Sequence, residues 1–417
     1  MDGTPLTTSL DGARRLVVVK QRLAGKPPAR VSANSIVDLV RDLGFVQWDP
    51  ISVVAPSHLL SIRSRLGNFD PAVLERLLWS DKKLFEHWTP IASLVLTEDY
   101  PLYYSLMRRY PASMSRSWGS QGKRAAKFLR DNADLRRRML RELREGPRTL
   151  GSFTDHVRTK RADGEWAPTS DVAQMLYHLT MTGEVMVVGH EGNQNLWGLT
   201  TGFLPSWARR VKMPADEFEA ASAERAILAQ GIATPRETLF YFVRGRYETL
   251  DTTLEKLERS SRIRRIQVEG LDDRKTRYIH AQDVPLLESL AAGKRWEPRL
   301  SLLPPFDNLV GNQDRLQRLF GFRYIREQFF PPEKRQFGFY VLPVLRGERF
   351  IGRIDPRMDR ESETLVINSV HAEPGAPMDR SVGVELRDAI DDLANFVGAA
   401  RVAYTSQVPG PWKGVLH

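Results

Sequence analysis

Apolar positions in this chain switch repeatedly between helical spacing and short alternating runs. Residues 9–23 and 34–43 carry apolar side chains at the three-to-four spacing of a helix, and Gly44 stops the second one. Thr169, Ser170 and Asp171 are N-cap candidates for a helix whose apolar face includes Val172, Leu176 and Leu179, with Gly183 at its end. A strand over 184–189, a polar tip at His190-Glu191-Gly192-Asn193 and a return strand over 195–199 follow. The same order then recurs. Thr234-Pro235-Arg236-Glu237 reads as a capping box with proline at the first helical position, and the helix it starts runs through Phe242 to a turn near Gly245. Residues 250–259 predict a second helix. Strands over 263–268 and 276–280 flank the polar turn 269–274. Two helices followed by a hairpin are the winged-helix plan; an unrelated small α+β module would leave the same pattern.

Beyond about residue 295 the texture changes. Prolines pair at 304–305 and 331–332, and apolar runs over 339–345, 350–354 and 365–369 predict strands separated by turns at 346–348 and 357–361. A helix is expected over 384–396. The fold class is therefore α+β: tandem winged-helix modules followed by a β-rich C-terminal domain. The expected segments are 1–145 (helical or winged-helix), 146–215 and 216–290 (winged helices), and 291–417 (β-rich).

Composition narrows the function. The 417 residues include 61 Lys and Arg against 51 Asp and Glu, a formal charge of +10, which favours a polyanionic partner over an acidic one. Absence of cysteine excludes disulfides, thiolate metal sites and cysteine nucleophiles. No apolar run reaches the roughly 18 residues of a membrane span, and the first residues lack a signal-peptide pattern, so a cytoplasmic protein without a membrane partner is expected. Basic residues concentrate over 101–148, thirteen against four acidic, with Tyr103, Tyr104, Tyr110 and Trp118 among them. Lys123, Arg124 and Lys127 here, and Arg274 and Lys275 at the second hairpin tip, are candidate contacts to DNA phosphates; a solvated helix face would have the same composition.

The candidate chemistry lies in Phe45-Val46-Gln47-Trp48-Asp49-Pro50-Ile51. In extended backbone Val46 and Trp48 point into the core, while Gln47 and Asp49 share the other face about 7 Å apart. A carboxylate beside an amide can hold a water, take its proton and oppose a developing positive charge. The bare pattern fits the polar edge of a strand better, because a triplet is too short to be specific. Phosphate-binding glycine loops and a nucleophile elbow are missing, and the eight histidines have no metal-ligand spacing.

The chain resembles the YcaQ/AlkZ family of winged-helix DNA glycosylases, including its AlkX branch. Gln47-Trp48-Asp49 matches the aspartate form of that family's glutamine–apolar–aspartate motif. Residues 51–59 and Arg63-Ser64-Arg65-Leu66-Gly67 also match, as do Pro305-Phe306-Asp307-Asn308-Leu309, Leu319-Phe320-Gly321-Phe322, residues 334–343 and Gly352-Arg353-Ile354-Asp355. The resemblance implies hydrolysis of the N-glycosidic bond of N7-alkylated guanine, including bulky and crosslinked adducts. It implies winged helices forming a concave channel for duplex DNA and a monomeric, cytosolic enzyme without a metal or redox cofactor. Gln47 and Asp49 are then the catalytic residues, and His58, Arg63 and Arg65 further candidate DNA contacts, although a histidine at 58 also fits a structural role. One departure stands out: the branch's tryptophan–any–His-Glu-Ala-Ser is here Trp88-Thr89-Pro90-Ile91-Ala92-Ser93. A winged-helix transcription regulator without catalysis is the alternative. It has no use for the Gln47–Asp49 pair, and tandem modules on one chain lack the two-fold symmetry of palindromic operators.

Overall fold

The computed structural model describes residues 5–88, 91–112, 120–153, 170–192, 194–271, 274–405 and 408–416. Thr89, Pro90, Trp118, Thr169, Asn193 and residues 272–273 of the turn at 269–274, which figure in the sequence reading, lie outside them. Contacts divide the chain into two compact units, each discontinuous in sequence. The first is Met1–Leu74, Glu224–Thr238 and Lys256–His417; the second is Glu75–Ala223 and Leu239–Glu255.

The first unit holds two sheets. The larger has five strands in the order Leu300–Leu302, Leu342–Arg346, Arg349–Asp359, Thr364–Ala372, Arg401–Tyr404. All pairings are antiparallel except the last, which is parallel and so requires a crossover; helix Arg380–Phe396 supplies it. Pro356 has no N–H to donate to the ladder, and the register shifts between Asp355 and Pro356. Leu342, Ile354, Leu365, Ile367, Leu386, Ile390 and Trp412 form the core of this half. Strand Arg349–Asp359 runs well beyond the 350–354 expected, and the turn expected at 357–361 falls at 360–363. Helix Gly410–Leu416, whose Trp412 is fully buried, was not foreseen.

The smaller sheet orders Leu6–Thr8, Ile263–Val268, Tyr278–His280 and Ile232–Ala233. Ile232, Ile266, Val268 and Ile279 pack from it against Ala13, Leu16, Leu287 and Leu290. Local signals place the neighbouring elements. The Ser9 hydroxyl accepts from Gly12 N–H to start helix Leu10–Lys20, and Gly44 at φ 79° ends helix Ala33–Leu43. The capping box at Thr234 forms in both directions, at 2.8 and 3.2 Å. Glu237 in that box also receives Arg315 and Arg318, tying the 235 helix start to helix Gln313–Phe320.

The second unit contains the hairpin Val185–Glu191/Gln194–Leu199 with the short strand Arg148–Thr149 beside it, and helices Ala133–Glu145 and Asp171–Met181 over a shared core of Met139, Leu143, Val172, Leu176 and Val185. Ser170 is the N-cap of helix Asp171–Met181. His190 and Glu191, expected in the hairpin tip, are strand residues. His190 sits within the strand opposite Asn195, and its Nε2 lies 3.1 Å from the buried Glu86 carboxylate. A second hairpin, Leu84–Trp88/Ala92–Leu96, lies in a stretch read from sequence as mostly helical.

Candidate active site

The Gln47–Asp49 segment lies entirely in the first unit, where a polar scaffold supports it. Val46 is buried and Gln47 half-buried, and regular strand ends at Gln47. The alternation argument therefore stops one residue short of Trp48. That ring is not inserted in the core as expected: it is half-buried and stacked on His58, centroids 3.9 Å apart. Asp49 enters a loop, where its Oδ1 accepts the Ile51 N–H at 2.9 Å, an Asx turn that orients the carboxylate. The Asp49 carbonyl accepts the Ser57 N–H at 3.3 Å, closing the loop onto helix Ser57–Leu66.

The C-terminal sheet anchors that loop. Met358 N–H donates to the Val53 carbonyl at 3.0 Å, and Arg360 donates to the Ser52 hydroxyl at 3.0 Å. Val54, Ala55 and Leu60 pack into the core beneath. Asn308 donates its amide to the Phe45 carbonyl at 2.9 Å, two residues before Gln47. Family-like segments far apart in sequence thus meet here. Gly338, at φ 141°, lies so near Asp355 that a β-carbon would fall 2.2 Å from its carboxyl carbon. Asp355 in turn accepts the Tyr340 N–H at 2.9 Å.

Burial raises the Asp49 carboxyl above its ordinary value of 3.8; the Ile51 N–H and the Arg326 guanidinium hold the rise in check by favouring the anion. Tyr340 is fully buried beside Ser57 and within the field of Asp49, and burial, with that negative charge, pushes its phenol up. Its hydroxyl faces that of Ser57, a contact that favours the phenolate and partly offsets the rise, and both oxygens are fully enclosed. Sequence reasoning assigned Tyr340, Ser57 and Arg326 no role. Their only signal was position: Tyr340 and Ser57 fall inside the family-like stretches.

The remaining site expectations divide. Lys123, Arg124 and Lys127 are exposed on helix Ser120–Asp131, and Arg274 and Lys275 are exposed after the second hairpin turn, as phosphate contacts would require. Lys127 pairs with Asp131. Arg65 is a correction: its side chain and that of Asp307 are both 0% exposed and joined by two hydrogen bonds, which places it in the core, out of reach of DNA. Arg63 is similarly committed, with Nε on Asn68 at 2.9 Å and the guanidinium 5.8 Å from the Phe396 ring centre. His58 is buried against Trp48. Tyr103 and Tyr110 are core residues, so they do not interleave the basic tract as a stacking surface. Among the described residues no group of three or more His, Asp or Glu could hold a metal ion, and no helix is long and apolar enough to cross a membrane.

Two comparisons bear on this site. In the first, the structure superposes on Streptomyces sahachiroi DNA glycosylase AlkZ with a TM-score of 0.66 over 97% of this chain and 100% of that one, at 16% identity, a likeness of fold. In the second, the model of the AlkZ-like DNA glycosylases matches residues 40–396, a span that takes in Gln47, Asp49 and the C-terminal scaffold beneath them. The chain belongs to the AlkZ-like DNA glycosylase family.

Proposed function

We propose that this chain hydrolyses the N-glycosidic bond of N7-alkylated guanine in duplex DNA, bulky and crosslinked adducts included, as a monofunctional, monomeric glycosylase of the cytoplasm acting in repair or self-resistance. The observation that carries the reading is Asp49: a half-buried carboxylate, oriented by the Ile51 N–H and favoured as the anion by Arg326. N7 alkylation makes the purine a cation, so it departs without a general acid. The remaining demand is an oxocarbenium-like sugar and an incoming water. Asp49 meets both by opposing the positive charge and taking the proton, while Gln47 orients the water. A neutral base would leave poorly from such a site. The helix and hairpin at 171–199 and the two helices and hairpin at 235–280 act in this reading as winged helices, with Lys123, Arg124, Lys127, Arg274 and Lys275 on the phosphates. A non-catalytic regulator would gain nothing from a carboxylate held on so elaborate a scaffold.

Incubation with duplex carrying one N7-methylguanine should yield alkali-labile abasic sites at that guanine. Intact strands, set against ready excision of a neutral lesion, would overturn the substrate assignment.

The pH profile tests the base. Asp49 works as the anion, so excision should rise with pH across a limb lying above the ordinary carboxylate value, because burial raises its pKa. Arg326 favours the anion. Arg326→Ala should therefore move that limb to higher pH, slowing excision most in mildly acidic buffer and least at neutral pH, after subtraction of uncatalysed depurination. An unmoved limb would separate Arg326 from Asp49.

A further inference from the structure

Six large apolar side chains are exposed among the described residues, and three of them, Phe329, Phe330 and Phe339, fall within eleven residues of one loop in the first unit. Phe329 is the most exposed, at 66%. Isolated surface phenylalanines need no explanation, but a cluster on a rigid loop does. This loop is rigid by construction. One oxygen of the buried Glu327 carboxylate accepts three successive N–H groups, from Gln336, Phe337 and Gly338, at 2.9, 2.8 and 3.2 Å. Arg335 Nε donates to the Phe330 carbonyl at 2.9 Å, and Pro331 and Pro332 stiffen the turn between. Phe329 is therefore held out in a fixed direction, and little ordering entropy is lost when it meets a partner.

The loop's foundation is also the foundation of the candidate active site. Phe329 packs edge-on to Phe306, ring centres 6.4 Å apart, and Arg326 lies over the other ring of that pair, Phe306, at 5.4 Å. Two residues on from Phe306, Asn308 holds the Phe45 carbonyl ahead of Gln47. The charge of Arg326 in turn reaches Asp49. The partner's chemistry follows from what surrounds the rings. Residues 323–339 contain Arg323, Arg326, Lys334 and Arg335 against Glu327 and Glu333, and Glu327 is consumed inside the loop. Arg335 lies 4.7 Å over the Phe339 ring, a flat cationic surface of the kind on which bases stack. Apolar rings framed by cations suit a stacked polyanion better than an apolar protein face.

We propose that residues 326–339 form a wedge that enters duplex DNA beside the lesion, with Phe329 stacking into the disturbed base step and Lys334 and Arg335 on the flanking phosphates. Insertion of an apolar side chain between bases unstacks the step and exposes the sugar to the carboxylate next to it. The proposal rests on the DNA glycosylase reading of the Asp49 site, and it names a binding element that the reading does not.

The test uses duplex with aminopurine next to an abasic-site analogue, which reports unstacking without any excision, and a parallel duplex with one N7-methylguanine. Binding of the wild-type protein should raise aminopurine fluorescence. Phe329→Ala should abolish that rise and weaken binding by about tenfold to a hundredfold, the range for one base–aromatic stack. Phe329→Trp should retain both. Because the side chain is exposed, neither change should alter the circular dichroism or thermal midpoint. Failure of the wild type to excise N7-methylguanine would count against the substrate reading alone, since the fluorescence signal does not depend on cleavage. A fluorescence rise that persists in Phe329→Ala, or is absent in the wild type, would overturn the wedge. So would a Phe329→Ala protein with unchanged DNA binding but altered sedimentation, which would mark the loop as a contact between copies of this chain.

Discussion

Asp49→Asn should reduce single-turnover excision of N7-methylguanine by about two orders of magnitude or more, the usual loss for a general base or a preorganised charge. The substitution is nearly isosteric. Its amide oxygen can still accept the Ile51 N–H that the aspartate accepts at 2.9 Å, so the loop and its closure onto helix Ser57–Leu66 should persist. What disappears is the charge. An amide neither takes a proton from water nor stabilises an oxocarbenium ion, and both effects belong to the transition state. Affinity for the damaged duplex should hold or tighten, because one negative charge facing DNA is gone. Gln47→Ala should cost less, since it removes the positioning of water and leaves the charge in place. Near-normal excision by Asp49→Asn, measured at saturating enzyme, would remove Asp49 from the chemistry.

Local physics was legible and remote partnership was not. The capping box at Thr234, the cap at Ser170 and the stop at Gly44 are written within three or four residues of where they act, and all formed. Helix Leu250–Arg259 and strand Ile263–Val268 fall where their periodicity put them. Hairpin Leu84–Trp88/Ala92–Leu96 escaped because Leu84, Phe85, Glu86 and His87 are all buried, which erases the alternation that marks a half-exposed strand. The Asp49 motif was visible as residue types, but its geometry was not. The strand ends at Gln47, and the orientation of Asp49 comes from an Asx turn and from a scaffold some three hundred residues further along. Arg65 shows the limit most plainly. An arginine near the candidate motif in a basic chain reads as a phosphate contact, and nothing local reveals an aspartate 242 residues away that takes it into the core.

That buried pair makes the second large prediction. Asp307→Ala should destabilise the first unit by about 3–5 kcal/mol, the range for leaving one buried charge without its partner. Arg65 Nη2 donates to Asp307 Oδ1 at 2.9 Å and Nη1 to Oδ2, while the rest of the guanidinium is spent on the Gln21 and Ser61 carbonyls and the Ser64 hydroxyl. Asp307 also accepts the Leu309 N–H at 2.9 Å. Removing the carboxylate therefore strands a guanidinium with no route to water and loosens the turn carrying Asn308, which holds Phe45 ahead of Gln47. Urea denaturation should show the loss as a lower midpoint for the first transition, and excision should fall with it because the Asp49 loop loses a support. The apolar double variant Arg65→Met with Asp307→Leu should recover much of the stability, since two groups that no longer need each other's charge bury without a desolvation penalty. A DNA contact would behave differently: Arg65→Met alone would weaken binding, Asp307→Ala would leave the urea midpoint unchanged, and the core assignment of the pair would fail.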